Sequence, residues 1–251
     1  MNGNILIVAA LSGELKPLVR HATAKRWTRL PSAKGTEVWE HKHAGGRWLA
    51  VCAGMGSERV AAAFAEGEKN MRADAVLSVG WAGALDSTIA SGAVCFASLV
   101  VDTQTGERSR PANRLNNGPV LATSARVADA REKERLAASY GAGLVDMEAA
   151  TVARIALGNG MPFYCLKAVS DDVTASLPNI NPFIGSDGQL KMFSFLLHIA
   201  VRPRSWPGLI KLGKHSRVAA KNLAEAIYGW LDTCVDDRNS TEDSIGRPNE
   251  R

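Results

Sequence analysis

Short apolar runs bounded by glycine-rich or polar turns alternate with alanine-rich amphipathic stretches along most of the chain. ILIVAAL (5–11) has the length and unbroken apolar character of a strand buried on both faces, and ELKPLVRHA after it predicts a helix. A first strand-to-helix turn therefore falls at Ser12 to Glu14. WLAVCA (48–53) repeats the pattern, with the glycine turn GMG opening the helical stretch SERVAAAFAEGEKN. Ala75 to Val79 predicts a third strand that ends in a turn, GWAGALD. Ala93 to Val101, Val120 to Thr123, Leu144 to Met147 and Phe163 to Val169 predict further strands, and 126–139 and 148–157 read as helices. Strands alternating with helices predict an α/β domain with a mostly parallel sheet covered on both faces. In such a sheet, ligand chemistry collects beyond the carboxyl ends of the strands.

The chemically suggestive residues fall at those ends. Glu14 follows the first strand, Gly80 to Gly83 the third, Met147 and Glu148 a later one, and Ser170 with Asp171 the run FYCLKAV. Taken singly, each has an ordinary explanation. A glutamate in the first turn of a helix complements the helix dipole, glycine pairs make tight corners, and SDD (170–172) supplies capping residues and a solvated charge. GMGSER does not match GxGxxG, and no GxxxxGK[ST] phosphate loop is present. LVDMEAATVAR (144–154) is the sharpest feature, because an acid at the mouth of a buried element is costly to desolvate unless something pairs with it. Asp146 and Glu148 flank Met147, and Asp146 reads as the structural member of the two.

Composition narrows the setting. A chain of 251 residues with 46% hydrophobic content buries a full core, and one domain is expected over 1–235, followed by a polar tail over 236–251 expected to be disordered. The net charge of +5 is mild and dispersed, which argues against a nucleic-acid partner. Cys52, Cys95, Cys165 and Cys234 lie far apart in apolar runs with no CxxC pair and no histidine at ligand spacing. Reduced core thiols, a cytoplasmic setting and no metal follow as expectations. The N-terminus meets Gly13 and Glu14 before a long apolar segment develops, so neither a signal peptide nor a membrane span is expected.

The set AALSGEL, GMG, VGWAGAL, VDMEAATVA and KAVSDD, in this order over about residues 4–175, resembles the nucleoside phosphorylase and nucleosidase superfamily, especially its methylthioadenosine/adenosylhomocysteine nucleosidase branch. The resemblance implies a three-layer αβα sandwich with a central mixed, partly barrel-like sheet, and cleavage of a purine ribosyl N-glycosidic bond. It places Glu14 where hydrolytic members keep the carboxylate that activates water. Met147 lies where the family packs a methionine beneath the ribose, and Glu148 where a carboxylate holds the ribose hydroxyls. Asp171 matches the acid that protonates the purine at N7, with Ser170 holding it in place. Gly80, Trp81, Ala82, Gly83 and Val127 complete the expected substrate contacts. No cofactor is implied, apart from phosphate as co-substrate if the bond is cut by phosphorolysis. A homo-oligomer, a dimer in the simplest case, is expected.

Two departures bear on the chemistry. Where nucleosidases stack an aromatic residue on the purine, this chain has Arg126, Val127 and Ala128. GWAGALD carries Trp81 where a small hydroxyl residue is common, and it lacks the phosphate-binding arginine of the hexameric phosphorylases. Together with Glu14, that loss favours water over phosphate, although Arg108, Arg110 and Arg126 leave an anion site open.

Within 190–232, apolar stretches alternate with Arg202, Arg204, Lys211, Lys214 and Arg217. Leu223, Ile227 and Trp230 have core spacing. For 190–214, a core helix and an amphipathic segment in peripheral contact with a membrane are both consistent with the pattern. This extension and VDTQTGERSRP (101–111) resemble the hopanoid-associated phosphorylase subgroup. That likeness implies removal of adenine from adenosylhopane, a purine nucleoside with a hydrophobic tail on ribose carbon 5′.

Overall fold

The computed structural model describes residues 3–20, 27–43, 45–112, 117–173 and 206–245; in the last stretch, side chains are described for 212–232. The elements in chain order are β1 (Ile5–Ala9), α1 (Ser12–Val19), β2 (Thr28–Leu30), β3 (Glu37–His43), β4 (Gly46–Cys52), α2 (Ser57–Asn70), β5 (Ala75–Ala84), β6 (Val94–Phe96), β7 (Leu99–Asp102), β8 (Arg108–Ser109), β9 (Val120–Thr123), α3 (Ala130–Tyr140), β10 (Ala142–Asp146), α4 (Ala149–Gly158), β11 (Phe163–Asp171) and α5 (Trp206–Ile245). The sheet is mixed, as expected from the resemblance.

Period-two alternation along β1 explains the three layers. Leu6 and Val8 point into a core shared with Val60 and Phe64 of α2 and Val152 of α4. Ile5 and Ile7 point to the opposite face, against Leu15 and Leu18 of α1 and Leu223 and Ile227 of α5. Each such fully buried Leu or Ile contributes roughly 1.5–3 kcal/mol, so α5 is a core helix over this stretch, in line with its spacing. Trp230 packs its ring on Tyr164 at 4.9 Å.

The strands run in the order β2-β3-β4-β1-β5-β10-β9-β7-β8, with β11 branching from β5 and carrying β6. The sheet keeps free edges at β2 and β8, so it is open. Its barrel-like character is local: β6 pairs with β11, the chain bends at Ala97 and Ser98, and β7 then pairs with β9. β5 is the pivot. It runs parallel to β1 through Ala75–Ser78 and parallel to β11 along most of its length, then meets β10 antiparallel at Gly83 and Ala84.

Several expectations are corrected here. GWAGALD is not a turn after a short strand; β5 continues through Ala84 because β11 supplies a partner along that whole segment. Ala93 to Val101 is two strands, divided where the chain changes partner. The helix expected at 126–139 begins at Ala130, where the Asp129 side chain accepts the Glu132 N–H, leaving Val127 in the preceding connection. β2 and β3 were not foreseen, because Thr28–Leu30, at the sheet edge, and Glu37–His43, next to it, are polar strands with weak alternation. α5 extends to Ile245, into the stretch 236–251 expected to be a polar tail, and no Pro or Gly lies between 236 and Gly246.

Cys52, Cys95 and Cys165 are free thiols. Among the described residues, no helix is long and apolar enough to cross a membrane, and no cluster of His, Cys, Asp or Glu has the makings of a metal site. The segment 190–205, on which much of the membrane expectation rests, lies outside the described residues, as do the side chains of 206–211.

Candidate active site

The stretch Gly80–Gly83 of β5 is the spine on which the expected carboxylates gather. Glu14, on the first turn of α1, reaches across to it: Oε1 accepts the Trp81 N–H at 2.8 Å. Its Oε2 accepts the Ala10 and Leu11 N–H groups at 3.0 and 2.8 Å. Gly80 has φ +145°, and a Cβ there would stand 2.9 Å from Glu14 Oε1, so only glycine lets β5 pass the carboxylate. A carboxylate has about four acceptor positions; backbone amides take three, leaving one on Oε1. Burial pushes the Glu14 carboxyl above its ordinary range, and the Leu11 and Trp81 amides and the Lys167 charge oppose that shift.

Glu148 follows β10 and is equally buried. Its Oε1 accepts the Gly56 N–H at 2.8 Å and its Oε2 the Met147 N–H at 3.3 Å. Gly56 has φ +88°, and nothing lies within 4 Å of where its Cβ would be, so the amide faces the carboxylate beside open space. Burial, reinforced by the negative charges of Asp146 and Glu14, pushes the Glu148 carboxyl up to about 8. Met147 beside it is half-buried.

Asp171 ends β11 opposite Gly83. Its Oδ1 accepts the Ser170 hydroxyl at 2.7 Å, and Ser170 also reaches the Ala82 carbonyl at 3.4 Å. Its Oδ2 meets the Lys133 ammonium at 2.5 Å. A Cβ on Gly83 would lie 3.0 Å from Asp171 Oδ2 and 3.3 Å from Lys133 Cε, so bare backbone makes room for the pair. The Trp81 ring closes over Gly13, whose Cβ would stand 3.1 Å from it. The Trp81 indole N–H is buried and donates to nothing among the described residues. A buried donor of this kind costs roughly 1–3 kcal/mol unless water or a ligand takes it.

The structure thus brings Glu14, Glu148, Ser170, Asp171, Gly80, Trp81, Ala82 and Gly83 to one place. Val127 is half-buried in the β9–α3 connection, with Arg126 exposed beside it. Arg108 and Arg110 are also exposed, on and after β8, and do not line the carboxylate cluster. Asp146 is structural: it accepts from Thr123 Oγ1 at 2.8 Å and from the Ala149 N–H at the start of α4 at 2.9 Å, and pairs with Lys167 at 2.9 Å. Asp172 accepts from Lys133 through its carbonyl, and the residues from 174 that it was expected to cap lie outside the described ones.

Two residues escaped the sequence reading. Lys167 interrupts the apolar run FYCLKAV, and a charge inside a doubly buried strand was a usable signal. Burial alone would lower its ammonium, but the Asp146 carboxylate, with Cys165 and Glu148, more than offsets this and holds it above the ordinary lysine value. Lys133 shares the buried face of α3 with Leu136, one turn away; a lysine at a core position of a helix was the corresponding signal.

The raised Glu148 carboxyl has a consequence for stability. Between its unfolded value of 4.5 and about 8, the folded protein holds a proton that the unfolded chain has released, so this contribution is complete below the unfolded value and is lost as pH rises through that window. Glu148→Gln keeps an acceptor for Gly56 and removes the titration. The ligand-free variant is expected to melt about 3 °C or more above the parent at pH 9, with the gap closing toward pH 5. Melting curves across that range check this; parallel pH profiles for the two proteins would contradict it.

The family model described as the phosphorylase superfamily matches residues 4–114 and 103–187. No curated protein matches the chain by sequence. Among solved structures, futalosine hydrolase of Helicobacter pylori superposes with a TM-score of 0.69 at 16% identity, covering 92% of this chain and 97% of its own. An MTAN mutant of the same organism, with 5′-methylthioadenosine in its active site, gives 0.70 at 15% identity, over 93% and 100%. The 5′-methylthioadenosine nucleosidase of Arabidopsis thaliana gives 0.70 at 17% identity, over 92% and 95%. At these identities the likeness establishes a shared fold.

Proposed function

This chain is an enzyme of the phosphorylase superfamily, and from that premise we propose that it hydrolyses the N-glycosidic bond of a purine nucleoside, releasing adenine from adenosylhopane. The observation that carries the reading is the trio of buried carboxylates, Glu14 and Asp171 against β5 and Glu148 after β10 within the electrostatic reach of Glu14, with a different set of partners for each. Glu14 has one acceptor position left, enough to orient a water and take its proton as the water attacks the anomeric carbon. Glu148 in its ionised form has two left, enough for two ribose hydroxyls, whose donors favour that form over the neutral one that burial holds in the free protein. Asp171 passes a proton to purine N7 as the base departs, which spares the transition state a full purine anion. The free Trp81 indole N–H is a donor available to the ligand or its water.

Two further observations favour water over phosphate and a tailed substrate. Arg108, Arg110 and Arg126 are exposed and scattered, which leaves the carboxylate cluster without an arginine clamp among the described residues. The finer substrate rests on the subgroup resemblance carried by VDTQTGERSRP and the apolar, basic stretch before and within α5. The Helicobacter pylori MTAN mutant holds 5′-methylthioadenosine in its active site, which makes methylthioadenosine the natural comparison substrate.

The test is adenine release from adenosylhopane and from methylthioadenosine, each in phosphate-free buffer. Turnover is expected without phosphate and with preference for adenosylhopane. Turnover that appears only with phosphate and yields a sugar 1-phosphate would make the reaction phosphorolysis, and preference for methylthioadenosine would replace the hopanoid substrate by a small thioadenosine.

A further inference from the structure

Lys133 stands out among groups the proposed mechanism does not use. It is 2% exposed, whereas lysines are almost never fully buried unless paired. Its ammonium has two partners at the mouth of the site, Asp171 Oδ2 at 2.5 Å and the Asp172 carbonyl at 2.9 Å. α3 delivers it there from 38 residues upstream of Asp171, and Gly83 is bare beneath the contact.

This arrangement creates a difficulty for Asp171 as a proton donor. Its two oxygens both accept, one from the Ser170 hydroxyl and one from Lys133. In its ion pair with that ammonium Asp171 is a carboxylate, and a carboxylate has no proton of its own to give. Of its two donors, the ammonium is the one that carries a spare ionisable proton, because a serine hydroxyl does not give up its proton in this range. We propose that Lys133 is a positioning and proton-supplying residue for the base-release step, acting through Asp171, so that the Lys133–Asp171 pair together forms the general acid. The inference rests on the nucleosidase reading above.

The C1′–N9 bond breaks and its electron pair passes to the purine. The Lys133 ammonium passes its proton to the Asp171 carboxylate and becomes a neutral amine, and Asp171 hands that same proton on to N7, ending as the carboxylate it began as. Water forms the new C1′–O bond and gives its proton to Glu14. Glu14 and the amine return to their starting states by proton exchange through solvent after the products leave, so the net reaction consumes one water and yields the purine and the free sugar.

A lysine that merely ties α3 to the end of β11 would explain its burial equally well, and the two roles separate by substrate. A nucleoside methylated at N7 already carries a positive purine and needs no proton to depart. Lys133→Met, Lys133→Arg and the parent are assayed on whichever of adenosylhopane and methylthioadenosine the parent cleaves, and on the N7-methyl derivative of that nucleoside. Arginine keeps the charge and the hydrogen bonds but does not release a proton.

Both variants are expected to lose about a hundredfold or more in kcat on the ordinary nucleoside, the scale of a positioned acid, and to change little on the N7-methyl one. Equal losses on the two substrates would overturn the proposal and leave Lys133 a structural tie. Recovery by Lys133→Arg would also overturn proton supply and leave charge alone. Near-parent rates in folded Lys133→Met would overturn it outright. If the parent itself cleaves none of these nucleosides, the nucleosidase reading fails and the inference with it, an outcome distinct from the other three.

Discussion

Glu14→Gln is expected to lower turnover by about a hundredfold or more, the usual cost of removing a positioned base. The reason lies in where the acceptor positions of Glu14 are spent. Three backbone amides hold the carboxylate against β5 and α1, and the one remaining position lies on Oε1, beside Trp81. A glutamine that keeps its oxygen toward Ala10 and Leu11 turns its NH2 toward the Trp81 N–H, placing donor against donor. The attacking water then loses both its acceptor and its base. The orphaned amide also costs roughly 1–3 kcal/mol of stability, partly offset because the variant no longer buries a charge. Steady-state rates on protein of verified fold are the measurement. Because burial raises the Glu14 carboxyl above its ordinary value, the acidic limb of the parent's pH–rate profile is expected above 4.5. A folded variant with rates near the parent's would remove Glu14 from the mechanism.

The second large effect is on stability. Lys167 and Asp146 are paired at 2.9 Å with side chains 1% and 0% exposed. Removing one partner of a buried pair strands the other, which typically costs about 3–5 kcal/mol. Lys167→Met keeps all but the terminal atom's length of an unbranched side chain, so packing changes little and electrostatics dominates. Asp146 would keep only the Thr123 hydroxyl and the Ala149 amide. Lys167 also restrains the upward shifts of Glu14 and Glu148, so its loss is expected to push both carboxyls further toward the neutral form and to depress turnover near neutral pH. Urea denaturation is the check on stability, with the double variant Lys167→Met, Asp146→Asn recovering most of the loss because no uncompensated charge remains. A single-variant cost below about 1 kcal/mol would mean that this pair does not hold the site together.

Much of this enzyme was legible in local pattern. β1, β4, β5, β9, β10 and β11 are continuous apolar runs, and a strand buried on both faces writes that character into a few consecutive residues. Leu223 and Ile227 announced a core helix for the same reason, one helical turn apart. The candidate carboxylates were visible because a buried acid at a strand end needs a partner and five motifs occurred in one order, along a stretch that the superfamily match over residues 4–114 and 103–187 also spans.

The rest depended on segments far apart in the chain. Gly56 reaches Glu148 across 92 residues and Lys133 reaches Asp171 across 38. The extension of β5 through GWAGA follows from β11 lying beside it, and the split of 93–101 into β6 and β7 from a change of neighbour at Ala97 and Ser98. By itself the sequence determined most of the alternating elements and the acids at the strand ends, because propensity, periodicity and turn chemistry act within a few residues. Tertiary structure alone decided which amide or ammonium each acid meets. The cost of burying a charge is set by the groups packed within a few ångströms of it, and those groups come from other strands and helices.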